Sequence, residues 1–188
     1  MKVLLETAIE TKDLILRSLD ASHAHGPYEA WMRDPAVNRF LEVRFGPPDA
    51  TALETYIMKL NASDDNMLLG LFPKSGPNRH IGNIKLGPIN KHHRSAPIGI
   101  AIGAVEFWSK GLATQAIQAL ANYAFSILGL ERLEAGFYAA NEPSQRAFRR
   151  AGFIEEGRRR GARLCGGVRM DEIIMGRLAA TTSVQAQG

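Results

Sequence analysis

The residues best placed to do chemistry lie in Trp108-Ser109-Lys110-Gly111-Leu112-Ala113-Thr114-Gln115-Ala116. An apolar run at 98–102 precedes this stretch and a strongly periodic segment reaching Leu128 comes after it. It therefore reads as strand, tight loop and helix N-terminus in that order. The first N–H groups of a helix have no intrahelical partner, and with the macrodipole they form an anion site suited to phosphate. Gly111 lets a ligand approach the main chain because no Cβ intervenes. Ala113 and Ala116 let the first turn sit near a sheet, and Lys110 adds a charge at the rim. Taken alone, such a turn is also an ordinary connection whose glycine serves geometry only. Elsewhere the signals are weaker. His92-His93 is an adjacent pair in a polar loop, and no His/Cys/carboxylate spacing resembles a zinc site, so no metal is expected.

The elements that must position this loop can be read from periodicity. Ala113, Ala116, Ile117, Leu120, Ala121, Ala124, Phe125 and Leu128 recur at helical spacing, with Gln115, Gln118 and Asn122 opposite them and Gly129 as the stop. Upstream, residues 14–19 read as a strand, with Asp20 as a cap for the next segment. A short helix over 21–34 carries Tyr28, Trp31 and Met32 and ends at Pro35. Asp49 or Thr51 opens a helix whose stripe is Leu53, Tyr56, Ile57 and Leu60. Strands are expected at 67–72, 81–86 and 96–103. The alternating segment 132–139 has Leu133, Ala135 and Phe137 on one face and Glu134, Gly136 and Tyr138 on the other. A helix over 142–151 comes after Asn141, and 153–160 with 169–175 form a hairpin across 161–167. This order implies an α/β protein of the α+β, mixed-sheet kind, with about seven strands and about four helices on both faces.

The chain has 188 residues, 45% hydrophobic and 22% charged, which suits one soluble domain, here 12–178, with a small polar tail at 179–188 expected to be disordered. Val3-Leu4-Leu5 is cut short by Glu6, too soon for a signal-peptide core, and no run approaches the roughly 18 apolar residues of a membrane span. A single cysteine, Cys165, fits a reducing compartment, so the expected location is cytoplasmic, with no membrane partner. The charge of +4 is modestly basic. Its one dense run, Arg158-Arg159-Arg160 with Arg163, has no interleaved aromatic residues, so a nucleic-acid partner is not expected.

With these pieces placed, the sequence resembles the GNAT acyltransferase superfamily, in the branch that includes ribosomal-protein, polyamine and aminosugar-nucleotide N-acetyltransferases. The resemblance is densest at Ile98-Gly99-Ile100-Ala101-Ile102-Gly103, at 108–116, and from Asn141-Glu142-Pro143-Ser144 to Arg150-Ala151-Gly152-Phe153. It implies the GNAT fold and acetyl-CoA as acyl donor. Ser109, Lys110, Gly111, Leu112, Ala113 and Thr114 would hold its pyrophosphate. Ile100, Ala101 and Ile102 would lie on a strand that splays from its neighbour and pairs with the pantetheine arm. Asn141, Ser144 and Phe148 fall at family positions beside the pantetheine and thioester, although Asn141 before Glu142 also reads as a helix cap.

The implied chemistry is direct attack of a neutral amine on the thioester, with the departing thiolate protonated. Two departures from the family pattern stand out: Pro97 occupies the usual glutamate position and Phe148 the usual tyrosine position. Ser144 is left as the best match for the thiolate's proton donor, with Tyr138 second. His92, His93 and Glu134 are further proton acceptors to consider. The expected acceptor is a small amine such as an aminosugar, with a protein N-terminus as the alternative and a monomer or homodimer as the assembly. The missing residues also motivate a second reading, a non-catalytic acyl-CoA-binding module.

Overall fold

The computed structural model describes residues 7–180; the segments read from Val3 to Glu6 and beyond Ala180 lie outside the described residues. Five antiparallel strands run in sequence: β1 (Ile9–Glu10), β2 (Leu14–Ser18), β3 (Met67–Pro73), β4 (Gly82–Leu86) and β5 (Ser95–Ile102). Helix α4 (Leu112–Ser126) then crosses to β6 (Arg132–Tyr138), which lies parallel to β5. After α5 (Glu142–Arg150), strands β7 (Ile154–Cys165) and β8 (Val168–Leu178) form a hairpin, and β8 inserts beside β6. The sheet order is β1-β2-β3-β4-β5-β6-β8-β7. This is the mixed sheet expected, with the two-residue β1 as an eighth strand.

Both faces are covered. On one, Leu112, Ala116, Ile117, Leu120, Ala121 and Ala124 of α4 pack with Phe148 of α5 against Leu69, Leu71, Ile84 and Ile98. On the other, α1 (Pro27–Arg33) and α3 (Ala50–Ala62) bury Tyr28, Met32, Leu53, Ile57 and Leu60 on Leu68 and Phe72. Strand β3, Met-Leu-Leu-Gly-Leu-Phe-Pro, is buried along its whole length, as a continuous apolar run sandwiched between two helical layers must be.

Local chemistry moved several boundaries. Residues 21–34 do not form one helix: a 3-10 turn, Ala21–Ala24, is capped by Asp20, and Gly26 at φ 84° breaks the chain before Pro27 opens α1. Pro35 does not merely stop α1. It sits at the first position of a fifth helix, α2 (Pro35–Asn38), because the Asp34 side chain accepts the Ala36 N–H at 2.8 Å. Tyr56, placed in the α3 stripe by spacing, is exposed on its edge. Helix α4 ends at Ser126, two residues early, with Gly129 at φ 66° beyond it. The hairpin turn is not 161–167. The strands continue to a tight turn at Gly166-Gly167, and Gly161, at φ 58°, lies where the pairing register slips between Arg159 and Arg163.

Candidate active site

The parallel pairing of β5 with β6 covers only Ser95, Ala96 and Pro97 against Arg132, Leu133 and Glu134. Beyond this point the strands part. Gly87 N–H donates to Pro97 O and Gly103 N–H to Ile81 O, so strand alternation turns the main-chain groups of Pro97, Gly99, Ala101 and Gly103 toward β4. Those of Ile100 and Ile102 face the gap. On the opposite wall, Glu131 O accepts from Ala179 and Ala139 N–H donates to Asp171 O, so the odd residues of β6 bond β8. The gap therefore receives the even ones, Gly136 and Tyr138. Ala101, expected to offer main-chain groups to a ligand, instead bonds β4; the sequence block marked the right strand, but alternation admits only every second residue.

The open end of the gap is shaped by the loop into α4. Trp108 donates its indole N–H to Ile102 O at 2.8 Å, occupying the carbonyl that β6 would otherwise pair. Ser109 at φ 59° and Gly111 at φ 75° reverse the chain tightly. Gly111 is the N-cap of α4 and supplies no side-chain acceptor, whereas Asp34, Asp49 and Asn141 cap their own helices. The first-turn amides of α4 thus have no side-chain cap, and no heavy atom lies within 4 Å of where a Gly111 Cβ would stand. Lys110 is exposed with its ammonium 5.0 Å from the Phe107 ring, and Leu112 is buried. Ala113 and Thr114 are half-buried, and the Thr114 hydroxyl lies 3.5 Å from Ala147 O, linking α4 to α5.

The remaining candidates separate. Asn141 caps α5, its side chain accepting the Ser144 N–H at 3.4 Å, and Ser144 is half-buried on the first turn. Phe148 is corrected: it is 0% exposed, its ring 4.8 Å from Phe137 and 5.0 Å from Phe153, so it belongs to the core and offers no surface to a ligand. His92 and His93 are exposed on the turn before β5, at the closed end. Glu134, also near that end, pairs with Arg132 at 3.6 Å. Tyr138 is 4% exposed. Its hydroxyl donates to Glu42 Oε1 at 2.6 Å and accepts from Arg44 at 2.7 Å, so its hydrogen is committed to a carboxylate. Burial first, and then the bond to Glu42, raise its pKa.

Glu42 and Arg44 belong to a 3-10 turn, Glu42–Phe45, that carries no chemical signal in the sequence. They cover Tyr138, on the sheet face that also carries Glu134 and Gly136. Arg163 joins them, bonding Glu42 Oε1 at 3.2 Å and Glu172 through its Nε at 3.1 Å. Glu172 is 3% exposed and also pairs with Arg159 at 2.8 Å. Much of the basic run is therefore neutralised locally, with Arg158 on Asp171 at 3.3 Å as well. A cleft of about 490 Å³ begins past the end of β5, lined by Gly103, Ala104, Trp31, His23, His80 and Arg79 among others. The Trp31 ring packs where a Cβ on Gly103 would stand. Among the described residues no cluster of His, Cys, Asp or Glu could hold a metal, and no helix is long and apolar enough to cross a membrane.

This arrangement is that of an acetyltransferase fold. Spermidine N-acetyltransferase from Vibrio cholerae, solved in complex with CoA and spermine, superposes with TM-score 0.79 at 24% identity, covering 89% of this chain and 96% of that one. RimL, a ribosomal L7/L12 alpha-N-protein acetyltransferase in complex with coenzyme A, gives TM-score 0.79 at 19% identity over 91% and 97% of the two chains. In sequence, residues 13–154 match the family described as Acetyltransferase (GNAT) domain. The uncharacterized N-acetyltransferase YoaA of Bacillus subtilis is 29% identical over 150 residues, 79% of this chain and 84% of that protein. The chain belongs to the GNAT family and is an N-acetyltransferase.

Proposed function

We propose that this enzyme transfers an acetyl group from acetyl-CoA to a small primary amine in the cytoplasm. The observation that carries this reading is the pairing of β5 with β6, which stops at Pro97 and Glu134 and leaves Ile100 and Gly136 facing a gap directly below the uncapped start of α4. A diphosphate suits those first-turn amides, and an extended pantetheine suits the strand-like edge of Ile100. Asn141 caps the first turn of α5, which carries Ser144. Ser144 is the proton donor for the departing thiolate.

The acceptor reading rests on size. A cleft near 490 Å³ falls in the range of about 300–1,000 Å³ typical of small-molecule sites. Trp31 offers a flat wall to an amine carried on a ring such as an aminosugar.

Two measurements test the proposal. Acetyl-CoA at a hundred times its Kd adds about 2.7 kcal/mol of stability, or roughly 5–11 °C in Tm for a domain of this size. Thiol release from acetyl-CoA is then monitored with spermidine, glucosamine and the dipeptide Ala-Ala as acceptors. Turnover on glucosamine or spermidine supports the small-amine reading. Turnover confined to Ala-Ala moves the acceptor to a protein N-terminus, and absence of both thermal shift and thiol release removes the reading altogether.

A further inference from the structure

We infer that Glu42 receives the acceptor's ammonium and takes its proton, with Tyr138 and Arg163 as positioning residues. The inference rests on the transferase reading of the gap and adds to it the base that Pro97 cannot supply.

Three carboxylates stand on or over one sheet face; one is buried, one is 49% exposed but lies below the gap, and one is both open and anchored. Strand alternation turns Glu134, Gly136 and Tyr138 of β6 away from α4, and the register pairs Tyr138 with Glu172 of β8. Glu172 is closed off: it is 3% exposed and held by Arg159 and Arg163. Glu134 lies where β5 and β6 are still paired, below the gap, and faces Arg132. Glu42 differs from both. Its side chain is 59% exposed, yet Oε1 is fixed by two donors, the Tyr138 hydroxyl at 2.6 Å and Arg163 Nη1 at 3.2 Å. Among the described residues no protein donor reaches Oε2. One oxygen is therefore anchored and the other is presented to solvent over the gap-facing end of β6. A cationic amine is the ligand chemistry that a half-anchored carboxylate accepts; Glu42 does not line the Trp31 cleft, so an acceptor seated there must extend its amine end out of it.

The arginines on this face are already engaged. Arg44 gives its guanidinium to Leu41 O at 2.8 Å, to Leu164 O at 2.6 Å and to Tyr138, and Arg163 is shared between Glu42 and Glu172. Arg163 holds the two carboxylates in place, and neither arginine bonds Oε2.

Atoms and charge balance in the step. The acceptor arrives as R–NH3+ and loses one proton to Glu42 Oε2, which returns it to solvent. The freed lone pair attacks the thioester carbon, the C–N bond forms and the C–S bond breaks. The second proton leaves the nitrogen as the amide forms and ends on the thiolate.

Glu42→Gln keeps the shape and removes the charge. With whichever acceptor of the three is turned over fastest, its kcat/KM at pH 7 is expected to fall about 100-fold, the lower range for loss of an acid–base group. Acetyl-CoA affinity and Tm remain those of the wild type. The pH profile carries the specific signature. The wild-type enzyme binds the ammonium form, so its kcat/KM is level up to the acceptor amine's own pKa. The variant must wait for free amine and rises by about ten-fold per pH unit below that pKa, which is near 10 for an alkylamine and about 8 for an α-amino group. Tyr138→Phe leaves Glu42 charged but loosely held, so KM rises while the level profile persists.

A parallel pH profile in wild type and Glu42→Gln overturns the inference, as does a larger loss in Glu134→Gln than in Glu42→Gln. If the wild type releases no thiol with any acceptor, the transferase reading fails and takes this inference with it. If the wild type is active and Glu42→Gln equals it, only the present inference fails.

Discussion

Replacing Gly111 by alanine separates the loop's geometry from its role in binding. Gly111 sits at φ 75° and ψ 2°, a left-handed conformation that costs an L-residue about 1–2 kcal/mol. No heavy atom lies within 4 Å of the new methyl, so the whole stability loss is backbone strain. At about 2–4 °C per kcal/mol, Gly111→Ala is expected to melt roughly 2–8 °C below the wild type. The methyl also stands in the open space next to the first amides of α4. If a diphosphate occupies that space, losing one hydrogen bond to a charged group removes about 1.5–3 kcal/mol, or about 10- to 150-fold in acetyl-CoA affinity.

Gly129→Ala supplies the control. Gly129 has φ 66° and equally open surroundings, but it lies past the other end of α4. It should lose comparable stability and retain full affinity. Isothermal titration of both variants with acetyl-CoA, alongside thermal melts, reads the two effects separately. Wild-type affinity in Gly111→Ala, or an equal affinity loss in Gly129→Ala, would refute the assignment of the loop.

Buried groups give two further expected outcomes. Phe148→Tyr returns a hydroxyl to the position where family members carry one, but here the ring is enclosed by Phe137 and Phe153; urea unfolding should show a loss of about 1–3 kcal/mol for the unpaired hydroxyl, with no gain in kcat. A raised kcat would show that Phe148 faces the reacting atoms after all. His80 donates from Nε2 to Gly82 O at 2.9 Å, and burial lowers its pKa to about 4. The unfolded chain binds that proton near pH 6.5, so the stability His80 contributes is present above about 6.5 and is lost as pH falls toward 4. Urea midpoints should report roughly 2 kcal/mol less stability at pH 5 than at pH 7, and His80→Asn should flatten that fall.

How far the sequence could be read depended on the range of the interaction. Helix α4 was legible because one period sets its whole buried face, and Asn141 was legible as a cap because capping is local. The hairpin was misread because Gly161 and Gly166-Gly167 carry the same turn signal, and only the pairing of Arg163 with Met170 shows that the first is a slip in register. Phe148 was legible as a departure from the family pattern, but its enclosure was not, since Phe137 comes from a separate strand. Tyr138 could be assigned to a face by alternation alone. Its partner Glu42 lies 96 residues away, and Arg163 lies 121 from Glu42, so no spacing connects the three.

The same distinction explains why the gap stays open. Strand β6 is saturated on its far side by β8 through every odd residue, and β5 by β4 through Pro97, Ala101 and their alternates. Closing the gap would require Ile102 O to accept from β6, but the Trp108 indole already bonds it. At the other end, Glu131 N–H donates to Arg94 O at 2.7 Å and pins the strands together. The walls are therefore held apart at one end and joined at the other, leaving the main-chain groups of Ile100 and Gly136 without a strand partner. Ile100 is half-buried and Gly136 exposed, so water satisfies these groups until a ligand replaces it. An extended acyl-donor arm bearing amide groups does so without any side chain changing, which is why that binding surface can be specified by residues as plain as isoleucine, alanine and glycine.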